Sequence, residues 1–219
     1  VQMLLGLVVV FVTYLTSQVL ELYTLNWVLD NFLSSILLVI VVLFQNDIRR
    51  ALTEVGRGSS LFGVKERAAY GPVLEELTKA AVSLAGRRAG ALIVLEREVG
   101  LNEYIEVGTR IDARVSHELL CSIFLPSSPI HDGAVVIQHG RLTAAGCFLP
   151  LTANPRVSKT LGTRHRAAIG LTEETDAAVV VVSEEEGTIS LVREGRITRD
   201  LDAAALRGAL QRLFTHEAR

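Results

Sequence analysis

Lysine and arginine are missing from the first 44 residues, which hold only two acids, Glu21 and Asp30; all 22 bases and the other 22 of the 24 acids lie beyond them. The later part is therefore formally neutral, which argues against the basic face by which proteins usually grip nucleic acid. Cysteine is scarce. Cys121 and Cys147 stand alone in apolar segments, without the C-x-x-C spacing of a zinc or redox site, and are expected to be buried thiols of a reducing compartment. No G-x-x-x-x-G-K-[ST] occurs, which excludes a P-loop. Internal repeats and low-complexity tracts are lacking, and no basic stretch precedes the first apolar run as a signal peptide requires.

What the first residues do hold is apolar. Over the whole chain 49% of residues are hydrophobic and the mean hydropathy is +0.37, high for a soluble protein. The run "MLLGLVVVFVTYLTSQVL" at 3–20 is uncharged and close to the roughly 20 residues that cross a ~30 Å hydrocarbon core. "FLSSILLVIVVLF" at 32–44 is shorter, and extends back to Trp27 only by including Asp30 and Asn31. Together they predict a transmembrane helical hairpin over residues 1–44, with a buried helix of a soluble core as the alternative. The loop between the runs lacks Lys and Arg, whereas "NDIRRALTEVGRG" after them carries Arg49, Arg50 and Arg57, which places residues 45 onward in the cytoplasm.

A polar, glycine-containing connector is expected over 45–65, followed by one domain over 66–219. Pro72 is expected in the first turn of a helix whose apolar positions are Val73, Leu77, Ala80, Ala81 and Leu84, with Gly86 as its stop. Strands are predicted at 91–96, 104–108, 133–138, 142–149, 177–183 and 188–194. Helices are predicted at 116–124, 163–172 and 201–214, with Ser116 and Thr163 as N-caps. Turns at "QHGR" and "EEEG" should make antiparallel hairpins. The fold class is α/β, a mixed central β-sheet flanked by helices and preceded by the membrane hairpin.

Three polar clusters interrupt this apolar framework. In "SSPIHDGAVVIQ" His131 and Asp132 precede Gly133, where the strand is expected to begin, and Gly133 and Ala134 are small enough for a ligand to approach the backbone. A turn capped by Asp132 would give the same pattern. "GTRHRAAIG" reads as a helix N-terminus, a natural anion site, with Arg164 and Arg166 able to chelate phosphate and His165 as a further donor. A solvated helix end is the bland reading. "VVVVSEEEG" ends an apolar strand in Ser183, Glu184, Glu185 and Glu186; carboxylates beside a phosphate site suit Mg²⁺ or Mn²⁺, though an acidic turn alone is usually a hairpin tip.

In this order, "HDGA", "GCFLPLT", "GTRHRAA" and "VVSEEEG", after an apolar N-terminus ending "FQNDIRRALTEVGRG", resemble the membrane-anchored bacterial diadenylate cyclases over essentially the whole chain. The resemblance implies a multi-pass protein of the cell membrane that condenses two ATP into cyclic di-AMP and two pyrophosphates. Asp132, Gly133 and Ala134 match the DGA element, with Asp132 the candidate for activating the ribose 3′-hydroxyl. His131 and Glu185 match metal-associated positions, for Mg²⁺, Mn²⁺ or Co²⁺. Gly162, Thr163, Arg164, His165 and Arg166 match the phosphate-binding stretch, with Ser183 beside them; Phe148 and Leu149 match the adenine contacts.

Many relatives carry Tyr where this chain has Phe148, which keeps stacking and loses any hydroxyl contact. Family members usually have three membrane helices, and the first of them is expected to be absent from this sequence. The implied partners are ATP, a second copy of the chain facing the first, the lipid bilayer and regulatory proteins; nucleic acid is not among them. Two rivals use the same residues: a membrane-tethered nucleotide receptor without turnover, and a phosphohydrolase that directs water at a nucleotide.

Overall fold

The computed structural model describes residues 63–155, 157, 158 and 161–215, together with Trp27, Ser35, Val41 and Val42, which are helical. The chain divides into two compact units, Val1–Arg57 and Gly58–Arg219. The expected membrane hairpin and connector otherwise lie outside the described residues, among which no helix is long and apolar enough to cross a membrane.

Among the described residues, the second unit runs α1 (Gly63–Gly86), β1 (Ala91–Leu95), α2 (Asn102–Ile105), β2 (Thr109–Arg114), α3 (His117–Ile123), β3 (Ala134–Gln138) and β4 (Arg141–Cys147). It continues α4 (Thr163–Glu174), β5 (Ala178–Val182), β6 (Ile189–Arg193), β7 (Arg196–Thr198) and α5 (Ala203–Thr215). The strands form one sheet in the order β2-β4-β3-β1-β5-β6-β7. Only β1 and β3 pair in parallel, so the sheet is mixed, as expected.

Both faces are covered. Helix α1 buries Tyr70, Val73, Leu74, Leu77, Ala80, Ala81 and Leu84 at helical spacing, and with α3 and α5 it covers the face that carries Ile93, Val135 and Val180. The other face, carrying Val94, Val136 and Val179, is covered by α4 through Ala167, Ala168, Ile169 and Leu171. Burial on both sides explains why β1 and β5 are apolar at every residue. The edge strands "TRIDAR" and "RIT" are charged and largely exposed, which guards the sheet against pairing with another chain.

Both expected hairpins form. His139 and Gly140 take positive φ (49° and 75°), the mirror-image turn that suits a right-twisted ribbon. The "EEEG" turn joins β5 to β6. Ser116 caps α3 by accepting from the Leu119 N–H.

Other expectations are corrected. The apolar pair Tyr104 and Ile105 belongs to the single turn α2, and the strand follows it as β2, whose exposed edge position leaves no buried stripe to read. The Leu101 N–H that opens this turn donates to the buried Glu96 carboxylate, a contact invisible in local periodicity. β7 was not expected, being only three residues long. Helix α1 starts nine residues before Pro72, because proline removes a single backbone donor and the bonds on either side continue the helix past it. Gly133 stands just outside β3, and β4 ends at Cys147, before Phe148.

The chain leaving β4 is fastened to α4. The Thr152 N–H donates to the Arg166 carbonyl (3.1 Å) and its hydroxyl to Glu173 (2.8 Å). A Cβ at Gly170 would overlap the Pro150 carbonyl and lie 2.7 Å from the Thr152 nitrogen. Gly170→Ala should therefore lower stability by about 1–3 kcal/mol through overpacking against backbone that cannot move alone. Urea denaturation measures it, and an unchanged midpoint would show that the loop is not held there.

Candidate active site

The strand registers gather every polar cluster at one end of the sheet. Ala91 opposes Val182, Ile93 pairs with Val135, and Ala134 opposes Cys147. The start of β1, the start of β3, the end of β4 and the end of β5 therefore stand side by side. With strands about 4.8 Å apart, the His131–Gly133 lip and the Ser183 turn are separated by roughly 10 Å of sheet.

At the β5 end, Leu161, Gly162, Thr163, Arg164, His165, Ser183, the three glutamates and Arg199 line a pocket of about 130 Å³. Helix α4 opens into it from Gly162, which is the N-cap in place of the expected Thr163 and offers no side-chain cap. Its first N–H groups are left for an anion. Arg164 Nη1 donates to Glu184 Oε2 at 2.7 Å, while Arg164 Nε is buried with no partner. His165 is 5% exposed and its Nε2 is likewise buried and unpartnered. Burial, and then the Arg199 cation, hold the His165 pKa below its usual value against the pull of Glu186 and Glu185. The imidazole is thus a neutral donor or acceptor at neutral pH.

The β3 lip is built from glycines. Gly133 (φ 111°) lies against Gly146 (φ 66°), and a Cβ on Gly133 would come within 2.8 Å of the Gly146 carbonyl carbon. Gly146 sits where the β3–β4 register shifts, so β4 bulges beside the lip. Gly133 is therefore required by the neighbouring strand, whatever a ligand needs. Ala134 is wholly buried and exposes no side chain at the lip. Asp132 is exposed, and His131 Nδ1 lies 2.6 Å from the Ser128 carbonyl, a contact in which Nδ1 donates and Nε2 is left to accept. Past the bulge Phe148 is 69% exposed, with Leu149 half-buried behind it.

The expected residues thus fall into two groups in one chain. Gly162, Thr163, Arg164, His165 and Ser183 share the pocket with Glu185, while His131, Asp132, Gly133, Ala134, Phe148 and Leu149 form the lip outside it. Arg166 does not line the pocket. Ser183 Oγ accepts from the Glu186 N–H (3.2 Å), so it shapes the turn as well. Among the described residues no three His, Cys, Asp or Glu side chains converge as a metal cluster. Both cysteines are buried, and burial pushes the Cys147 thiol up to about 11, as an inert core residue requires.

One residue lining the pocket, Arg199, and one beside it, Gly90, are not legible in the sequence. Arg199 follows the unforeseen strand β7. Gly90 precedes β1, and a Cβ there would come within 2.5 Å of Arg164 Nη1 and 2.8 Å of Glu184 Oε2. A glycine ahead of a strand is too common a signal to single out. A larger groove of about 690 Å³ between α1 and α5 lies on the opposite face of the sheet; its charges, Glu75, Lys79 and Arg207, pair with one another.

Gly90→Ala should displace Arg164 and Glu184, both flexible side-chain ends, so the melting temperature should change little; a fall of many degrees would show that backbone is forced to move instead. The depressed His165 pKa predicts that the unliganded protein loses stability as pH falls below the unfolded-state value of about 6.5, because the unfolded chain takes up the proton more readily. His165→Gln should flatten the decline of the melting temperature over that range; an unaltered slope would assign the loss to other groups.

The chain is similar to several known proteins. A family model described as DisA bacterial checkpoint controller nucleotide-binding matches residues 78–197. The cyclic di-AMP synthase CdaA of Bacillus subtilis is 43% identical over 221 residues, covering 100% of this chain and 81% of that protein. A diadenylate cyclase of Listeria monocytogenes is 40% identical over 208 residues, covering 94% and 76%. A double mutant of DacA from Staphylococcus aureus superimposes with a TM-score of 0.64 at 44% identity, over 66% of this chain and 96% of that one. A hypothetical membrane spanning protein from Bacillus cereus gives 0.58 at 35% identity, over 85% and 96%. With its sheet, its basic helix start and its glycine-built lip in place, the chain belongs to the bacterial diadenylate cyclase family, and is an enzyme of that class.

Proposed function

We propose that this chain condenses two ATP molecules into cyclic di-AMP, each ribose 3′-oxygen attacking the α-phosphorus of the other nucleotide across a face-to-face pair of domains. The observation that carries the reading is the pocket at the start of α4, where Arg164 Nε and His165 Nε2 are buried without partners beside uncapped helix N–H groups. Each orphaned polar atom costs about 1–3 kcal/mol in the empty protein, which phosphate oxygens would recover. Gly162, Thr163, Arg164, His165 and Ser183 hold the phosphates there, and Arg166, in the same first turn of α4 but outside the pocket lining, adds its cation nearby. Phe148 offers its exposed ring for the adenine to stack on, and Leu149 backs it.

At the lip, Asp132 accepts the 3′-hydroxyl proton as the oxygen bonds to the α-phosphorus. The bond to the bridging oxygen breaks and pyrophosphate leaves with its electron pair; the proton passes on to solvent. Gly133 and Ala134 hold Asp132 at this position through β4. Repetition from the second nucleotide closes the ring and releases the second pyrophosphate. A divalent cation, Mg²⁺, Mn²⁺ or Co²⁺, would neutralise charge developing on the phosphates. His131 and Glu185 suit it as donors by chemistry, imidazole with carboxylate fitting these ions, but they stand at separate parts of the sheet end in one chain and would meet at one ion only across the facing pair.

Two features support a pair of chains. The pocket of about 130 Å³ is well below the roughly 300–1,000 Å³ of small-molecule sites, so one chain encloses only part of a nucleotide. The base and the phosphate pocket lie apart on one sheet end, and the product is twofold symmetric, as an isologous dimer would make it. Residues 1–44 are proposed as membrane helices, 45–65 as the connector and 66–219 as the cytoplasmic cyclase domain; the exposed helical Trp27, Val41 and Val42 accord with contact to lipid.

The test is incubation with ATP and Mn²⁺, with products identified by mass. Asp132→Asn should still bind ATP while cyclic product falls by about 10²- to 10⁴-fold. Specific activity should rise with protein concentration until the pair is populated. ATP bound without any product would point to a receptor, inorganic phosphate to a hydrolase, and an active Asn variant would dismiss Asp132 as the base.

A further inference from the structure

The pocket has an electrostatic imbalance that the family motifs leave unexplained. Its lining carries three carboxylates, Glu184, Glu185 and Glu186, against two guanidiniums, Arg164 and Arg199, and His165 is held neutral. Each arginine is already paired within the pocket: Arg164 donates to Glu184 Oε2, and Arg199 Nη2 donates to Glu186 Oε2. In the empty protein the acidic turn thus occupies the two cations with its own oxygens. A carboxylate and a phosphate present the same planar pair of acceptors to a guanidinium, so either can satisfy it.

Resting on the reading of this pocket as the ATP site, we infer that Arg199 is a further polyphosphate-binding residue, and that nucleotide engages it by displacing the Glu186 carboxylate. Arg199 stands at the end of β7, outside both sequence motifs, with its side chain 41% exposed, free to swing from one anion to the other. It lines the same pocket as His165, whose Nε2 is buried without a partner. A phosphate chain seated in this pocket would lie in the space that both Arg164 and Arg199 line. Release of Glu186 from Arg199 leaves that carboxylate to Thr188 Oγ1, which already donates to it (3.3 Å).

A simple brace of the turn is the competing role, and the two roles differ in sign. If the Arg199–Glu186 pair only holds the turn, removing either partner should weaken nucleotide binding alike. If Glu186 competes with phosphate for Arg199, Arg199→Ala should weaken binding and Glu186→Gln should strengthen it. The ligand to use is 3′-deoxy-ATP, which lacks the attacking hydroxyl and so binds without turnover, compared with AMP by calorimetry at constant Mg²⁺. Arg199→Ala is expected to lose about ten- to a hundredfold in 3′-deoxy-ATP affinity and little in AMP affinity, with Arg199→Lys intermediate. Glu186→Gln is expected to gain a few-fold.

Melting curves of the variants establish that the exposed substitutions leave the fold intact. Equal 3′-deoxy-ATP affinity in wild type and Arg199→Ala, or losses of the same sign in Arg199→Ala and Glu186→Gln, would overturn the assignment while leaving the ATP site standing. No binding by the wild-type chain would remove the ATP reading itself, and this inference with it.

Discussion

The pairing of β1, antiparallel to β5 on one side and parallel to β3 on the other, is the constraint on which the rest of the structure depends. It makes the start of β1, the start of β3 and the end of β5 coincide at one end of the sheet. Segments nearly 100 residues apart in sequence become neighbours through backbone hydrogen bonds alone. The pairing is anchored by burial, since β1 and β5 are apolar at all positions with helices on both faces. A one-residue slip in either ladder would shift the polar ends out of line with one another.

Around that end the protein holds polar groups in a way that stability alone would not favour. Helix α4 begins without a side-chain cap, and Arg164 Nε and His165 Nε2 are buried without partners. Part of the charge is internally compensated by the acidic turn, whose glutamates hold Arg164 and Arg199. The buried, unpartnered donors and acceptors make the pocket costly to leave empty. Ser190 Oγ, buried in β6, is a third unpartnered polar atom among the described residues, and the structure gives it no evident role.

Close backbone approach does the rest of the positioning. Gly133 against Gly146 lets β4 bulge beside the lip, and Gly170 lets the chain after Phe148 lie on α4. Through these contacts the lip, the chain after the exposed aromatic ring and the basic helix start are tied to one another, although only the helix start and the acidic turn share a cavity.

How much of this was legible in the sequence follows from where each signal is stored. Buried strands and the stripe of α1 were readable because burial imposes continuous or helical apolar periodicity. The "HDGA", "GTRHRAA" and "SEEEG" clusters were readable because polar residues interrupting such runs are few. Edge strand β2 and the short β7 were not, since half-exposed strands carry no period and a three-residue element carries no pattern. The N-cap was misplaced by one residue because Thr163 has the right chemistry for a cap, while the backbone puts Gly162 there. Gly90 and Arg199 were missed because their neighbours come from distant segments. Local composition and periodicity determined the elements and the chemistry at their ends; only the strand registers, which are long-range hydrogen-bond pairings, decided which of those ends meet.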